Sequence, residues 1–145
     1  LWLEEVERTL ESIPDLGVAG VAGMSEKGRN DEERRKWCID VFDEVWWDGG
    51  NNRVERPEEV QTLDECLLIV RRPVFSRLQF DDKVFDGWHC YGADYCLSVR
   101  QFGLKAYVVP AFACHSCLRA NMKDLLKFQQ RLYVKHRRNY KHIYT

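Results

Sequence analysis

Trp2, Val6, Leu10 and Ile13 recur at helical spacing with glutamates between them, and Pro14-Asp15 ends the pattern, which predicts a helix over 1–13. The small apolar run GVAGVA at 17–22 predicts a buried strand with a close neighbour. Residues 24–36 keep no apolar period and read as a mobile surface loop. Partial alternation at 37–47, closed by the turn cluster 48–52, predicts a strand, and VQTLDECLLIV at 60–70 is the strongest strand in the chain. Arg71-Arg72-Pro73 then opens a short helix, with Pro73 suited to a first turn. Asp94 begins a helical run carrying Leu97, Val99 and Phe102, with Gly103 at its end. Strands at 106–109 and 112–114 flank Pro110, and a last helix fills 121–138. The order α, β, β, β, α, α, β, β, α, without an internal repeat, predicts an α/β class with layered helices and sheet.

At 145 residues, with 45% hydrophobic and 12% aromatic content, 1–145 is expected to form one domain with a core of its own. The longest aliphatic run, 67–70, falls far short of the roughly 20 apolar residues of a membrane-spanning helix. No signal-peptide pattern opens the chain, so the expected setting is cytoplasmic, at most peripheral to a membrane. The six cysteines are then expected as reduced thiols. Cys114-His115-Ser116-Cys117 has C-x-x-C spacing, but no second such pair accompanies it. A small zinc protein built on Cys90, Cys96, Cys114 and Cys117 stays open as an alternative. The net charge of −1 hides an asymmetry: residues 1–65 hold 18 acids and 8 bases, whereas residues 66–145 hold 5 acids and 14 bases. The halves should attract each other. The basic C-terminal helix is either a solvated face or a surface for phosphate, a diphosphate or an anionic membrane; no nucleic-acid motif accompanies it.

Candidate chemistry concentrates in DGWHCYGADYCLSVRQFG, residues 86–103. Asp94 at the mouth of a helix would be kept ionised by free backbone N–H groups and the helix dipole, which suits a general base. Trp88 and Tyr91 offer flat faces that can stack on sugar rings. The same residues can equally be read as a helix cap and core aromatics.

FDDKVFDGWHCYGADYCLSVRQFGLKAYVVPAFACHS, residues 80–116, resembles the second half of the family 2 glycosyltransferases of the GT-A fold. Phe80-Asp81-Asp82 matches the family's Phe-Asp-Glu-like turn, His89-x-Tyr91 precedes the acidic motif, and Arg100 and Gly103 match the helix that follows. VQTLDECLLIVRRPVF and PDLGVAGVAGM resemble the strands and helix before it, so the likeness extends over about 15–118. The resemblance implies an α/β fold, a partial GT-A-like mixed sheet flanked by helices, without the N-terminal nucleotide-binding half. It implies Asp94 as catalytic base, Asp64, Trp88, His89 and Tyr91 on the acceptor side, and His115 as a metal-holding residue. It further implies an inverting transfer from a nucleotide-sugar to a glycan or other hydroxyl acceptor, with Mg²⁺ or Mn²⁺ at the diphosphate. Two features depart from the pattern. Gly92-Ala93 stands where many members carry a further acid, and the chain has no Asp-x-Asp. A non-catalytic glycan- or anion-binding module derived from the same fold is therefore the alternative. On the enzymatic reading, Asp94→Asn should abolish most transfer and leave the fold intact.

Overall fold

Helix α1 (Trp2–Glu11) forms over the predicted period, burying Val6 and Leu10 and leaving its glutamates in water. The computed structural model describes residues 1–42, 52–111, 113–116 and 122–145. The predicted strand 17–22 is two strands, β1 (Leu16–Gly20) and β2 (Ala22–Met24), which enter different sheets. The junction holds because its backbone groups find partners on both sides. Gly20 O accepts the N–H of Val109, and Val21 O accepts that of Cys38.

Residues 24–36 are not the open loop their polarity suggests. They contain a one-turn helix, α2 (Asp31–Arg34), capped by Asn30, whose side chain accepts the N–H of Glu33. A strand, β3 (Arg35–Trp37), follows and pairs antiparallel with β2. Next comes β4 (Ile39–Phe42); the rest of the predicted 37–47 strand and its turn lie outside the described residues, apart from Asn52. The predicted strand 60–70 is three pieces, β5 (Glu58–Val60), β6 (Thr62–Leu63) and β7 (Leu68–Val70). Its break lies at Asp64, whose carboxylate accepts the N–H of Cys66 and so stabilises a turn instead of a ladder. Pro73 sits in the first turn of α3 (Arg72–Phe75), as predicted.

Helix α4 (Tyr91–Arg100), strand β8 (Lys105–Val108), strand β9 (Ala113–Ser116) and helix α5 (Leu125–His136) complete the chain. The principal sheet has the order β5-β8-β1-β7, with β1 and β8 parallel and the edge strands antiparallel. A three-stranded sheet, β3-β2-β6, and a parallel pair, β4-β9, adjoin it. The architecture is the mixed α/β arrangement of sheet and flanking helices that the sequence predicts. Strand β1 is buried along its whole length because both faces of the sheet are covered. Val6, Leu10 and Ile13 belong to one core with Leu16 and Ala19, whereas Tyr95, Cys96 and Val99 of α4 belong to another with Val18, Ala106 and Val108. A third core joins α4 to α5 through Ala93, Leu97, Phe128 and Leu132.

The acidic and basic halves meet as their charges predict. Arg100 bonds Glu26 at 2.8 Å, and Lys105 reaches Asp15 at 3.2 Å and Glu59 at 3.0 Å. The Lys105 pairs are open to water and contribute little to stability. No helix among the described residues is long and apolar enough to cross a membrane.

The buried amide of Gln61 ties down the end of the chain. Its Nε2 donates to Glu26 and to the carbonyl of His142, and its Oε1 accepts the N–H of Tyr144 at 2.7 Å. Leucine at this position would take these bonds from the His142 carbonyl and the Tyr144 N–H, at a cost of about 2 kcal/mol. We expect Gln61→Leu to lower the denaturation midpoint and to make residues 142–145 susceptible to carboxypeptidase. Unchanged digestion would show that the tail is held by other contacts.

Candidate functional site

Helix α4 begins at Tyr91, three residues ahead of the predicted start, with Cys90 as its N-cap in the left-handed region at φ 67°. It runs between the principal sheet and α5, so residues 92–97 are all buried. Packing this tight explains one departure from the family pattern. A side chain at Gly92 would place its Cβ 3.2 Å from the Leu63 carbonyl oxygen and 3.2 Å from Glu65 Cγ. There is little room for an acid at that position. The carboxylate beside the helix start comes instead from the turn after β6: Glu65 Oε1 accepts the Gly92 N–H at 3.1 Å.

Beside this contact lies a pocket of about 300 Å³. Gly23, Met24 and Thr62 form one wall, Asp64, Glu65 and His89 supply charge and polarity, and Leu125 and Gln129 of α5 close the far side. Burial pushes the Glu65 carboxyl up; the Gly92 N–H opposes this shift, the neighbouring Asp64 charge reinforces it, and His89 offsets it in part. A carboxylate raised in this way accepts a proton more readily than an exposed glutamate does.

Asp94 is not on the wall of that pocket. It is 3% exposed, and its carboxylate is engaged by α5. Lys135 Nζ lies 2.8 Å from Oδ1 and 2.9 Å from Oδ2, and His136 Nε2 lies 2.6 Å from Oδ1. Lys135 also bonds Asp81 at 2.8 Å. Burial pulls the Lys135 ammonium down, but the hydrogen bonds and charges of Asp81 and Asp94 outweigh it and hold the ammonium above its ordinary value. His136 is itself buried, with Nδ1 lacking a partner among the described residues, so Asp94 is its one polar anchor there.

The structure thus brings two of the predicted acceptor-side residues, Asp64 and His89, into one pocket with Ala93, the residue preceding Asp94. Tyr91 packs edge-on against Phe80, with ring centroids 5.8 Å apart, and is not among the residues lining that pocket. Trp88 is not a core aromatic: it is 86% exposed. His115 pairs with Val41 across β9 and β4, and its side chain lies outside the described positions. Glu65 is the residue that sequence reasoning passed over, although it adjoins Asp64. Lys135 and His136 were visible only as members of a basic helix.

Among the described residues, no three His, Cys, Asp or Glu side chains are grouped so that they could hold a metal ion. The side chain of His115, which the resemblance assigns to the metal, lies outside that set, so the divalent cation rests on the resemblance alone. Of the cysteines in the zinc alternative, Cys90 and Cys96 are buried, and burial pushes both thiols up to about 12. Cys117 lies outside the described residues.

The model of a family described as "Glycosyltransferase like family" matches residues 2–142. A protein of Fuscovulum blasticum, "ATP synthase subunits region ORF 6", is 31% identical over 139 residues, covering 92% of this chain and 51% of that protein. The chain thus spans about half the length of this curated relative. With a match that runs through every described helix and sheet, the chain belongs to the glycosyltransferase-like family.

Proposed function

We propose that this chain supplies the acceptor side of an inverting glycosyltransferase of GT-A type, and that the pocket of Asp64, Glu65 and His89 receives the acceptor. The observation that carries this reading is the placement of Asp64 and His89, far apart in sequence, on one cavity in a chain of this family. In such a transfer the acceptor oxygen bonds the anomeric carbon as the bond to the nucleotide diphosphate breaks. The hydroxyl proton passes to a carboxylate. His89 and Asp64 orient the acceptor by hydrogen bonds, and the apolar side chains of Met24 and Leu125 exclude water. A divalent cation in such enzymes neutralises the departing diphosphate, but the described residues do not form a site for one and no step is assigned to it here.

The family pattern makes Asp94 the base. It can take a proton only after Lys135 and His136 release it, which requires α5 to shift. A second reading is favoured by one observation: Glu65 lines the pocket and Asp94 does not. The two are separable in a transfer assay on the natural gene product with a panel of nucleotide-sugars. If Glu65 is the base, Glu65→Gln lowers kcat by about 10²–10⁴-fold. The pH dependence has a definite sign. A base works when deprotonated, so activity rises with pH, and burial of Glu65 places that rise above the ordinary glutamate value of 4.5. Glu65→Gln should remove this limb. A variant with wild-type kcat and an unchanged pH profile would return the role to Asp94. No sugar transfer by the wild-type protein with any donor would favour the binding-module reading.

A further inference from the structure

We propose that the outward face of α5, together with Trp88, is a seat on an anionic lipid surface. Phe128, Leu132 and His136 turn inward from this helix, and on the opposite side Leu126, Tyr133 and Val134 face water at 68%, 54% and 61% exposure. Large apolar side chains gathered on one exposed helix face mark an interaction surface.

The surrounding charge identifies the partner's chemistry. Residues 122–145 hold seven lysines and arginines against a single acid, Asp124. Two of these cations are consumed within the protein: Arg131 bonds Asp86 and the Val84 carbonyl, and Lys135 bonds Asp81 and Asp94. Lys127, Arg137, Arg138 and Lys141 remain exposed around the apolar side chains. Trp88 joins them from another part of the chain. Its neighbours Gly87 and His89 both pack on Phe128, which fixes Trp88 beside the first turns of α5.

Cations and aliphatic side chains on one helix face, with an exposed tryptophan beside the same helix, match the layers of a bilayer surface. The cations meet lipid phosphates, the indole lies at headgroup depth, and leucine and valine reach the acyl boundary. RNA or an acidic peptide would satisfy the cations but leave Leu126 and Val134 against polar groups. The molecule contains its own comparison. Leu3 on α1 is also exposed, but among Glu4, Glu5 and Glu7, which an anionic surface would repel. Leu125 and Gln129 of α5 also line the acceptor pocket, so seating the helix brings the pocket close to the lipid. The docking itself does not rest on the transferase reading and is measured without activity.

The experiment is co-sedimentation of the full chain with vesicles of phosphatidylcholine alone or of phosphatidylcholine and phosphatidylglycerol in equal parts. Binding is expected only with phosphatidylglycerol and should weaken as salt is raised. Each cation lost should cost about fivefold in vesicle affinity, so Arg138→Glu with Lys141→Glu should cost at least about 25-fold. Leu126→Glu with Val134→Glu should also lose at least about tenfold, and Leu3→Glu should bind as wild type; thermal melts check that all three remain folded. Three results would each overturn the proposal. One is no binding to phosphatidylglycerol vesicles at low salt. Another is full binding by the Leu126/Val134 variant, which would reduce the contact to nonspecific charge. The third is a wild-type dimer that dissociates in that variant, which would make a second copy the occupant.

Discussion

Gly23→Ala is expected to lower stability by about 3 kcal/mol or more, which for a chain of this size is a fall in Tm on the order of 10 °C. Gly23 pairs with Leu63 where β2 meets β6. A Cβ at this position would stand 2.3 Å from the Thr62 carbonyl oxygen. Because that oxygen belongs to the backbone, no rotamer change can relieve the clash and the two strands must part. Their separation would also disturb the pocket, since Gly23, Thr62 and Asp64 line the same wall. Gly103→Ala is the fitting comparison. Gly103 has φ 75° with nothing within 4 Å of an added Cβ, so alanine there meets backbone strain alone, about 1 kcal/mol. Thermal melts of the two variants decide the matter. A Gly23→Ala protein melting within a degree or two of wild type would mean that β2 and β6 are not paired as described.

Where the sequence was legible, the physical cause was local. The periods of α1 and α5 and the proline in α3 are set by side chains a few residues apart. The charge asymmetry also forecast its consequence, the bonds of Arg100 and Lys105 to Glu26, Asp15 and Glu59. Where it misled, the deciding partner was distant. The 60–70 segment is apolar enough for one strand, but Asp64 turns the chain, and the buried Gln61 is explained by Glu26 and by the tail 81 or more residues away. Residues 24–36 look like a loop because β3 is polar, and pairing with β2 overrides that. Trp88 was legible as aromatic but not as exposed, because its depth depends on where α5 lies. Glu65 carries the same lesson at the site. Its tie to Gly92 joins two segments whose approach no local pattern encodes.

Asp94→Asn is expected to be destabilising, which modifies the expectation from sequence that the fold would be untouched. The substitution leaves Lys135 and the buried His136 against a neutral amide, at a cost of about 1–3 kcal/mol. Lys135→Gln should cost a comparable amount, because Asp94 and Asp81 then lose the ammonium between them. The double variant should be less destabilised than the two singles added together, by about 1–3 kcal/mol, since the second substitution breaks a contact already lost. The pH behaviour follows from the shifts at either side. Asp81 lies below its ordinary 3.8, chiefly through its bond from Lys135, so its contribution is present above pH 3.8 and lost as pH falls further. Lys135 lies above its ordinary 10.5, so its contribution is complete below that pH and lost as pH rises through its folded value. The Asp81–Lys135 pair should therefore add no slope to stability across the neutral range. Denaturant titrations of the four proteins supply the cycle. Additive losses would show that the buried contact is not energetically coupled. Transfer activity then separates the two readings of Asp94. If it is the base, Lys135→Gln leaves His136 as the remaining partner of its carboxylate and retains transfer, whereas Asp94→Asn loses about 10²–10⁴-fold under conditions where both are folded. If Asp94 only fastens α5 to α4, both variants lose stability to a similar degree and both retain transfer, leaving Glu65 as the proton acceptor in the pocket.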